Sequence, residues 1–397
     1  MNFEKINAQM EEYVRSNEMA GGALIVRKSG EILLKSKWGY ANIEARTPVE
    51  YDSVFRMASS TKPPTAVGIL RLIERGKASL DDEVKKYIPE FCDMRVLADE
   101  RYKIDINNYN PIEIARKIVT FDESEVKTVP ADRDITIRDL LTHSSGLGME
   151  IAGLGQQGKM NYLEDTLETR ARKYAKFILD FQPGTATGYS GLASMDIIAR
   201  IIEVISGKPF DEYMRDEIFT PLGMTDTTYR PTDEQKKRLV KLYKTDNGEH
   251  IDVTGTAEDI DFIGAIGPNY TSGSAGLYST VEDYDRFAAM LANGGEFNGV
   301  RILKPETVRM IYTEGAYKKL EMAPGMEWGL GMIVRKDPEK AGINVTKNTY
   351  GWSGAYGTHF FVSPEQKLAV IFVMNRSNIG GAGSYISKRL EELVFEK

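Results

Sequence analysis

The rhythm of apolar and polar positions changes twice along this chain. After an opening helix, "GGALIVRKSGEILLKSKWGYA" reads as two β-rich runs about the turn Lys28-Ser29-Gly30, a hairpin signal. From Thr65 to about Arg286 helical spacing dominates. "TAVGILRLIERG" places Val67, Leu70 and Ile73 on one face with Gly76 as a stop, and "DTLETRARKYAKFIL" and "SMDIIARIIEVISG" follow, the latter ending at Gly207. Residues 97–130 are polar and interrupted, which suggests a long excursion over the surface. The rhythm then returns to strands in "EWGLGMIV", "YGTHFFVSP" and "KLAVIFVMN", before a closing helix, "SYISKRLEELVF". Strands at both ends with helices between them imply one α/β (α+β) sheet domain, antiparallel through its hairpins, built from residues 1–60 and 287–397, with a mostly helical domain inserted at 61–286.

The start of the first long helix carries the first chemistry. In "RMASSTKPPT", Ser59 and Lys62 are three apart and share a helix face, whereas Ser60 and Lys62 diverge. Proline is tolerated only in a helix's first turn, where no bond is lost, so Pro63 and Pro64 fix the start near Ser59. Ser59 then sits at a helix N-terminus, whose dipole and free N–H groups favour developing negative charge. Lysine can take a proton from a neighbouring serine when burial lowers its own affinity for it. An isolated S-x-x-K is also what a capped helix start with a surface lysine looks like, so further clusters must decide.

Composition narrows the field. The 397 residues are 42% hydrophobic, enough for a large core, and the net charge of −7 with a pI near 5.4 argues against nucleic acid or an anionic membrane surface as partner. The N-terminus has no apolar signal region, and no run of about 18 apolar residues occurs, so a cytoplasmic protein is expected. Cys92 is the only cysteine and, beside Phe91, reads as a small core residue rather than a nucleophile. His143, His250 and His359 are widely separated and form no zinc spacing, and "SGKPF" lacks the upstream glycine of a phosphate loop. No metal, nucleotide or other cofactor is expected.

Two further clusters stand out. In "QPGTATGYSGLAS", Tyr189 follows a Pro183-Gly184 turn and precedes a helix, so its ring stands on a loop. In "YGWSGAYGTHFF", the small residues Ser353, Gly354 and Ala355 are expected to begin a strand, where an edge position could offer an N–H to an oxyanion. Each taken singly has a plain reading, as packing or as a bulge.

The ordered set resembles the serine β-lactamase and penicillin-binding-protein superfamily, and more closely its branch of class C β-lactamases, DD-peptidases and esterases. The matching stretches run from "GALIVRKSGEILLKSKWGYAN" through "FRMASSTKPPTAVGILRLIERG", "ITIRDLLTHSSGLG", "FQPGTATGYSGLAS" and "SGSAGLYSTVEDYDRFAAML" to "WSGAYGT". The resemblance implies a β-lactamase/transpeptidase-like fold, an antiparallel sheet flanked by helices with a helical insertion. It makes Ser59 the nucleophile, Lys62 its proton partner and Tyr189 the acid/base tyrosine, with the N–H groups of Ser59 and Ala355 as oxyanion hole. Gly191, Trp352, Ser353 and Gly354 fall at substrate-binding positions.

Two positions depart from the family. Gly191 stands where the Y-x-N asparagine belongs, and Trp352 where K-T-G enzymes carry lysine. Those residues hold the amide and carboxylate of penicillins; a tryptophan there is similar to the esterase subgroup and suits a short neutral acyl or alkyl group. The expectation is a serine hydrolase acting on a small-molecule ester or amide, first of all a carboxylic ester, through an acyl-enzyme. The alternatives are a weak β-lactamase, a D-amino-acid peptidase, or a decayed enzyme serving as a binding scaffold. An α/β-hydrolase using Ser190 or Ser353 with His359 rests on "GYSGL" and "GWSGA", both short of G-x-S-x-G. With lysine and tyrosine covering proton transfer, His143 and His359 are expected to be dispensable for chemistry.

Overall fold

The computed structural model describes residues 1–396 except 103–109, 149, 159, 161–163, 257, 260–265, 268 and 382. Asn2 caps α1 (Phe3–Arg15) by accepting the Lys5 N–H. Strands β1 (Gly21–Lys28) and β2 (Glu31–Asn42) are joined by Ser29 and Gly30, whose positive φ angles of 50° and 90° make the tight two-residue turn that the hairpin needs. After β3 (Thr47–Pro48) the chain enters α2 (Lys62–Glu74), and later α3 (Ala193–Ser206), which stops at Gly207 with φ 69°. Then come α4 (Val281–Ala292), β4 (Glu321–Ala323), β5 (Met326–Trp328), β6 (Ile333–Arg335), β7 (Thr349–Ser353), β8 (His359–Ser363), β9 (Leu368–Met374) and α5 (Tyr385–Phe395).

These nine strands form one sheet, in the order β4-β5-β6-β7-β8-β9-β1-β2-β3, with every neighbouring pair antiparallel. The C-terminal strands therefore pair with the N-terminal hairpin, β9 against β1 from Gly22↔Met374 to Lys28↔Leu368. Strand β9, "LAVIFVM", is buried at every position because helices cover both faces, which replaces the usual alternation by a continuous apolar run. On one face α1 and α5 pack Ile6, Met10, Leu390 and Leu393 against Leu24, Val26, Phe361 and Phe372. On the other, Tyr284 and Phe287 of α4 meet Phe360 of β8 edge-on at 5.3 and 6.2 Å. Each such buried side chain contributes about 1.5–3 kcal/mol, so the helices are held by the sheet more than by their own propensity. Among the described residues no helix is long and apolar enough to cross a membrane.

Several local expectations are corrected by packing: Cys92, expected in the core, is exposed, while its neighbour Phe91 is the one buried. The 353–355 segment ends β7 and turns toward β8 instead of beginning a strand, and β7 lies inside the sheet, not at its edge. "EWGLGMIV" is split between β5 and β6 by a turn in which Gly331 (φ 80°) passes so close to α2 that a Cβ would meet Ala66 at 2.5 Å. The helix read in "DTLETRARKYAKFIL" ends at Tyr174: Lys176 and Phe177 close tight turns back onto the carbonyls of Lys173 and Tyr174, and the Leu179 N–H then reaches the Arg95 carbonyl. Among its described residues the 97–130 excursion holds one α-helix, Pro111–Val119, none of whose residues is buried, and a 3₁₀ turn, Glu100–Tyr102; its 103–109 stretch lies outside the described residues. The boundary placed at 286/287 falls within α4, whose contacts run to β1, β8 and β9.

Candidate active site

Ser59 lies in a short 3₁₀ turn, Ala58–Thr61, that leads directly into α2. Pro63 and Pro64 occupy the first turn of that helix, as their missing N–H groups require. Ala58, one residue before Ser59, is held at φ 45°, a left-handed conformation that costs a non-glycine residue of the order of 1–2 kcal/mol. Lys62 is one turn on and wholly buried, with its Nζ 3.1 Å from Ser59 Oγ. Tyr189 arrives from the loop before α3 and donates its phenol to the same Oγ at 2.8 Å.

Backbone fixes the lysine. Its Nζ also donates to the carbonyls of Gly191, at 2.7 Å, and Ser274, at 3.0 Å. With Ser59 Oγ these make three acceptors, matching the three N–H bonds of an ammonium. The Ser274 turn is in turn anchored on buried Asp196 of α3, which accepts from Ser272 Oγ at 2.8 Å and from the Ser274 N–H at 3.2 Å. Burial pushes the Asp196 carboxyl up, opposed by Arg170 and by hydrogen bonds from Tyr270 and Ser272.

The other wall comes from the sheet. Thr358 Oγ1 donates to the Met57 carbonyl at 3.0 Å and pairs with Ser60 Oγ at 2.9 Å, tying the β7–β8 turn to the residues around Ser59. Gly354 is needed there because a Cβ would lie 2.2 Å from the Met57 carbonyl. Ser59 and Ala355 both line a cleft of about 570 Å³, and neither backbone N–H donates to another described residue. Two unengaged amides beside a serine are what a developing oxyanion requires.

Aromatic rings shape the cleft. Trp352 Nε1 is buried without an acceptor among the described residues, and its ring lies 5.2 Å from Tyr189 and 4.7 Å from Trp328. Trp328 stacks parallel to Tyr189 at 6.0 Å. Behind them His143 accepts the Ser190 N–H on Nδ1 at 3.1 Å; burial, and second the charge of Lys62, push the ring down to about 3, so it stays neutral. Neither His143 nor His359 touches Ser59; His359 instead meets Ser353 Oγ at 2.7 Å through Nδ1.

The structure thus brings Ser59, Lys62 and Tyr189 together, sets Ala355, Trp352 and Ser353 along the same cleft, and gives Gly191 and Gly354 backbone tasks. The α/β-hydrolase alternative loses its parallel sheet, and Ser190 Oγ is occupied by the Ser194 N–H. Sequence reasoning missed Ser274 and Trp328. The first acts through a carbonyl, which leaves no trace in residue type; the second lay in a run read only as strand. Among the described residues no group of three metal-ligating side chains assembles.

A serine at a helix start, with lysine one turn on and tyrosine across it, is the arrangement of a serine hydrolase on an antiparallel α/β frame. The family profile described as Beta-lactamase matches residues 6–391, and the chain belongs to that family. Esterase EstB of Burkholderia gladioli is 28% identical over 421 residues, covering 99% of this chain and 95% of its own. A putative D-alanyl-D-alanine carboxypeptidase of Escherichia coli K12 is 26% identical, covering 94% and 83%. Among solved structures, EstCE1, a hydrolase with promiscuous acyltransferase activity, superposes with a TM-score of 0.78 at 21% identity, covering 99% of this chain and 98% of that one.

Proposed function

We propose that this protein hydrolyses carboxylic esters through a covalent acyl-enzyme on Ser59. Ser59 Oγ attacks the ester carbonyl while its proton passes to the Lys62–Tyr189 pair in the form that has already lost one proton, and the alkoxide leaves carrying that proton from the pair. Water then attacks the acyl-Ser59 carbonyl, gives up its proton by the same route, and releases the acid as Ser59 regains its hydrogen. The N–H groups of Ser59 and Ala355 stabilise both oxyanions, at about 3 kcal/mol for each donor. The observation that carries this reading is the convergence of Lys62 Nζ and Tyr189 OH on Ser59 Oγ, at 3.1 and 2.8 Å. Likeness to EstB supports an ester over an amide.

Trp352 supports a neutral substrate. A lysine there would place a cation beside Tyr189, whereas the indole, 5.2 Å from that ring, brings apolar area and one N–H, so short uncharged acyl esters are preferred to penicillins. A weak β-lactamase or D-amino-acid peptidase would use the same three residues on another substrate. Ser59→Ala is expected to abolish p-nitrophenyl butyrate hydrolysis in a folded protein, and a fluorophosphonate is expected to label Ser59. Labelling at Ser353 or Ser190 would reject the assignment, and absence of labelling would favour a non-catalytic scaffold.

A further inference from the structure

Past Trp352 the cleft is walled by a buried polar chain that the proposed reaction does not use. Ser353 of β7 and His359 of β8 are direct cross-strand partners, so their side chains share one face of the sheet. Ser353 Oγ lies 2.7 Å from His359 Nδ1. On the far side of the ring, Nε2 lies 3.1 Å from Glu391 Oε1 of α5, somewhat off the ideal hydrogen-bond line, and Glu391 also pairs with Arg335 of β6. Ser353, His359, Glu391 and Arg335 all line the cleft that contains Ser59.

The proton positions follow from this chain. Burial acts to raise the Glu391 carboxyl, but the Arg335 guanidinium beside it holds it below its ordinary value, so it is ionised. A carboxylate offers only lone pairs, so the ring nitrogen facing it carries the hydrogen. A doubly protonated ring would set a second buried cation beside Arg335 for a single carboxylate, which burial disfavours. The ring is therefore neutral with its hydrogen on Nε2, and Nδ1 has a lone pair to offer. Ser353 must donate its O–H to that lone pair, and no other described side chain bonds its oxygen. What Ser353 turns to the cleft is an acceptor.

Resting on the ester-hydrolase reading above, we infer that Ser353, oriented by His359, selects esters that carry a hydroxyl or N–H donor near the scissile group and disfavours those carrying a carboxylate. A substrate hydroxyl donates to Ser353 Oγ; a carboxylate would meet lone pair against lone pair. His359 acts through Ser353 and is a positioning residue.

The test compares kcat/KM within matched ester pairs, one with a hydroxyl on the alcohol side (monobutyrin against propyl butyrate) and one with it on the acyl side (ethyl 3-hydroxybutyrate against ethyl butyrate). Monoethyl succinate supplies the carboxylate probe. In at least one pair the wild type is expected to favour the hydroxylated ester by about tenfold or more, and Ser353→Ala to bring that ratio near unity. His359→Leu frees the Ser353 O–H to donate, so the ratio of monoethyl succinate to ethyl butyrate should rise, while His359→Gln, which can still offer an acceptor, should retain more of the hydroxyl preference. A merely structural role for His359 would lower all substrates together. Turnover of the parent esters without preference in either pair, or a preference that survives Ser353→Ala, overturns this inference alone. Failure of the wild type to hydrolyse any ester, or equal hydrolysis by Ser59→Ala, overturns the ester-hydrolase reading and this inference with it.

Discussion

Lys62→Met separates the chemical task of the lysine from its structural one. Methionine fills a similar volume but donates nothing, so the carbonyls of Gly191 and Ser274, now 2.7 and 3.0 Å from Nζ, lose their donor in a site where Lys62 is wholly buried. Each orphaned buried acceptor costs about 1–3 kcal/mol, and no longer burying an ammonium offsets part of the sum, leaving a net loss of about 2–4 kcal/mol. With an unfolding entropy of about 2.1 cal/mol/K per residue, a chain of 397 residues should then melt about 2–5 °C lower. Ser59→Ala is the control. It removes one of three acceptors from Nζ and leaves both carbonyls bonded, so its melting temperature should stay within about 1 °C of wild type. Both variants should lose p-nitrophenyl butyrate turnover by at least about a thousandfold. Calorimetry on the three proteins decides the matter: a Lys62→Met protein that melts with Ser59→Ala would show that the two carbonyls do not depend on the ammonium.

Tyr189→Phe keeps the ring against Trp328 and His143 but removes the hydroxyl on Ser59, so kcat should fall by about 10²–10⁴ with little change in melting; retention of a third of the activity would remove tyrosine from proton transfer. The neutral His143 ring makes stability depend on pH: its folded value is about 3 against 6.5 when unfolded, so its contribution is complete above 6.5 and is lost as pH falls toward 3. Asparagine tolerates the φ of 50° at this position and keeps an acceptor, so His143→Asn should gain about 2 kcal/mol relative to wild type between pH 6.5 and 4.5 in urea melts; a gap independent of pH would contradict a buried neutral ring. Trp352→Lys combined with Gly191→Asn should raise the nitrocefin to p-nitrophenyl butyrate ratio more than either change alone, and unchanged ratios across the four proteins would reduce Trp352 to a space-filler.

Much of this site was legible because it is local. The i, i+3 spacing of Ser59 and Lys62, with two prolines limiting where the helix can begin, needs only helix geometry. The Ser29-Gly30 hairpin and the Gly207 stop are equally local, and the sheet joined from both termini followed from where the β-rich runs lie. Tyr189 was legible only by resemblance, since nothing in a loop tyrosine's own neighbourhood says what it will face. Ser274, and the task of Gly191 as an acceptor for Lys62, were hidden for a different reason: both act through carbonyl oxygens, which every residue has. Ser353 and His359 could be quoted in one short string, yet their pairing needs the β7–β8 register and their polarity needs Glu391 from a helix about 30 residues on. The edge-strand expectation failed because "YGWSGAYG" carries no sign of how many strands will flank it; β4, β5 and β6 all add beyond β7.

The geometry around Ser59 also explains why lysine, and not histidine, occupies this position. An imidazole has two nitrogens in one plane; used as a base, it needs one for the serine and a third group on the other to fix its orientation. The ammonium of Lys62 has three N–H directions, and here one meets the serine while two are fixed by carbonyls from separate segments, at 191 and 274. Orientation is therefore supplied by backbone, and no carboxylate needs to stand beside the lysine. The buried carboxyl of Asp196 serves one step further out, holding the Ser274 turn through Ser272 Oγ and the Ser274 N–H. With proton transfer assigned to an amine and a phenol, the histidines are left for other tasks: His143 as a neutral wedge behind Tyr189, and His359 as the acceptor that turns Ser353 toward the substrate.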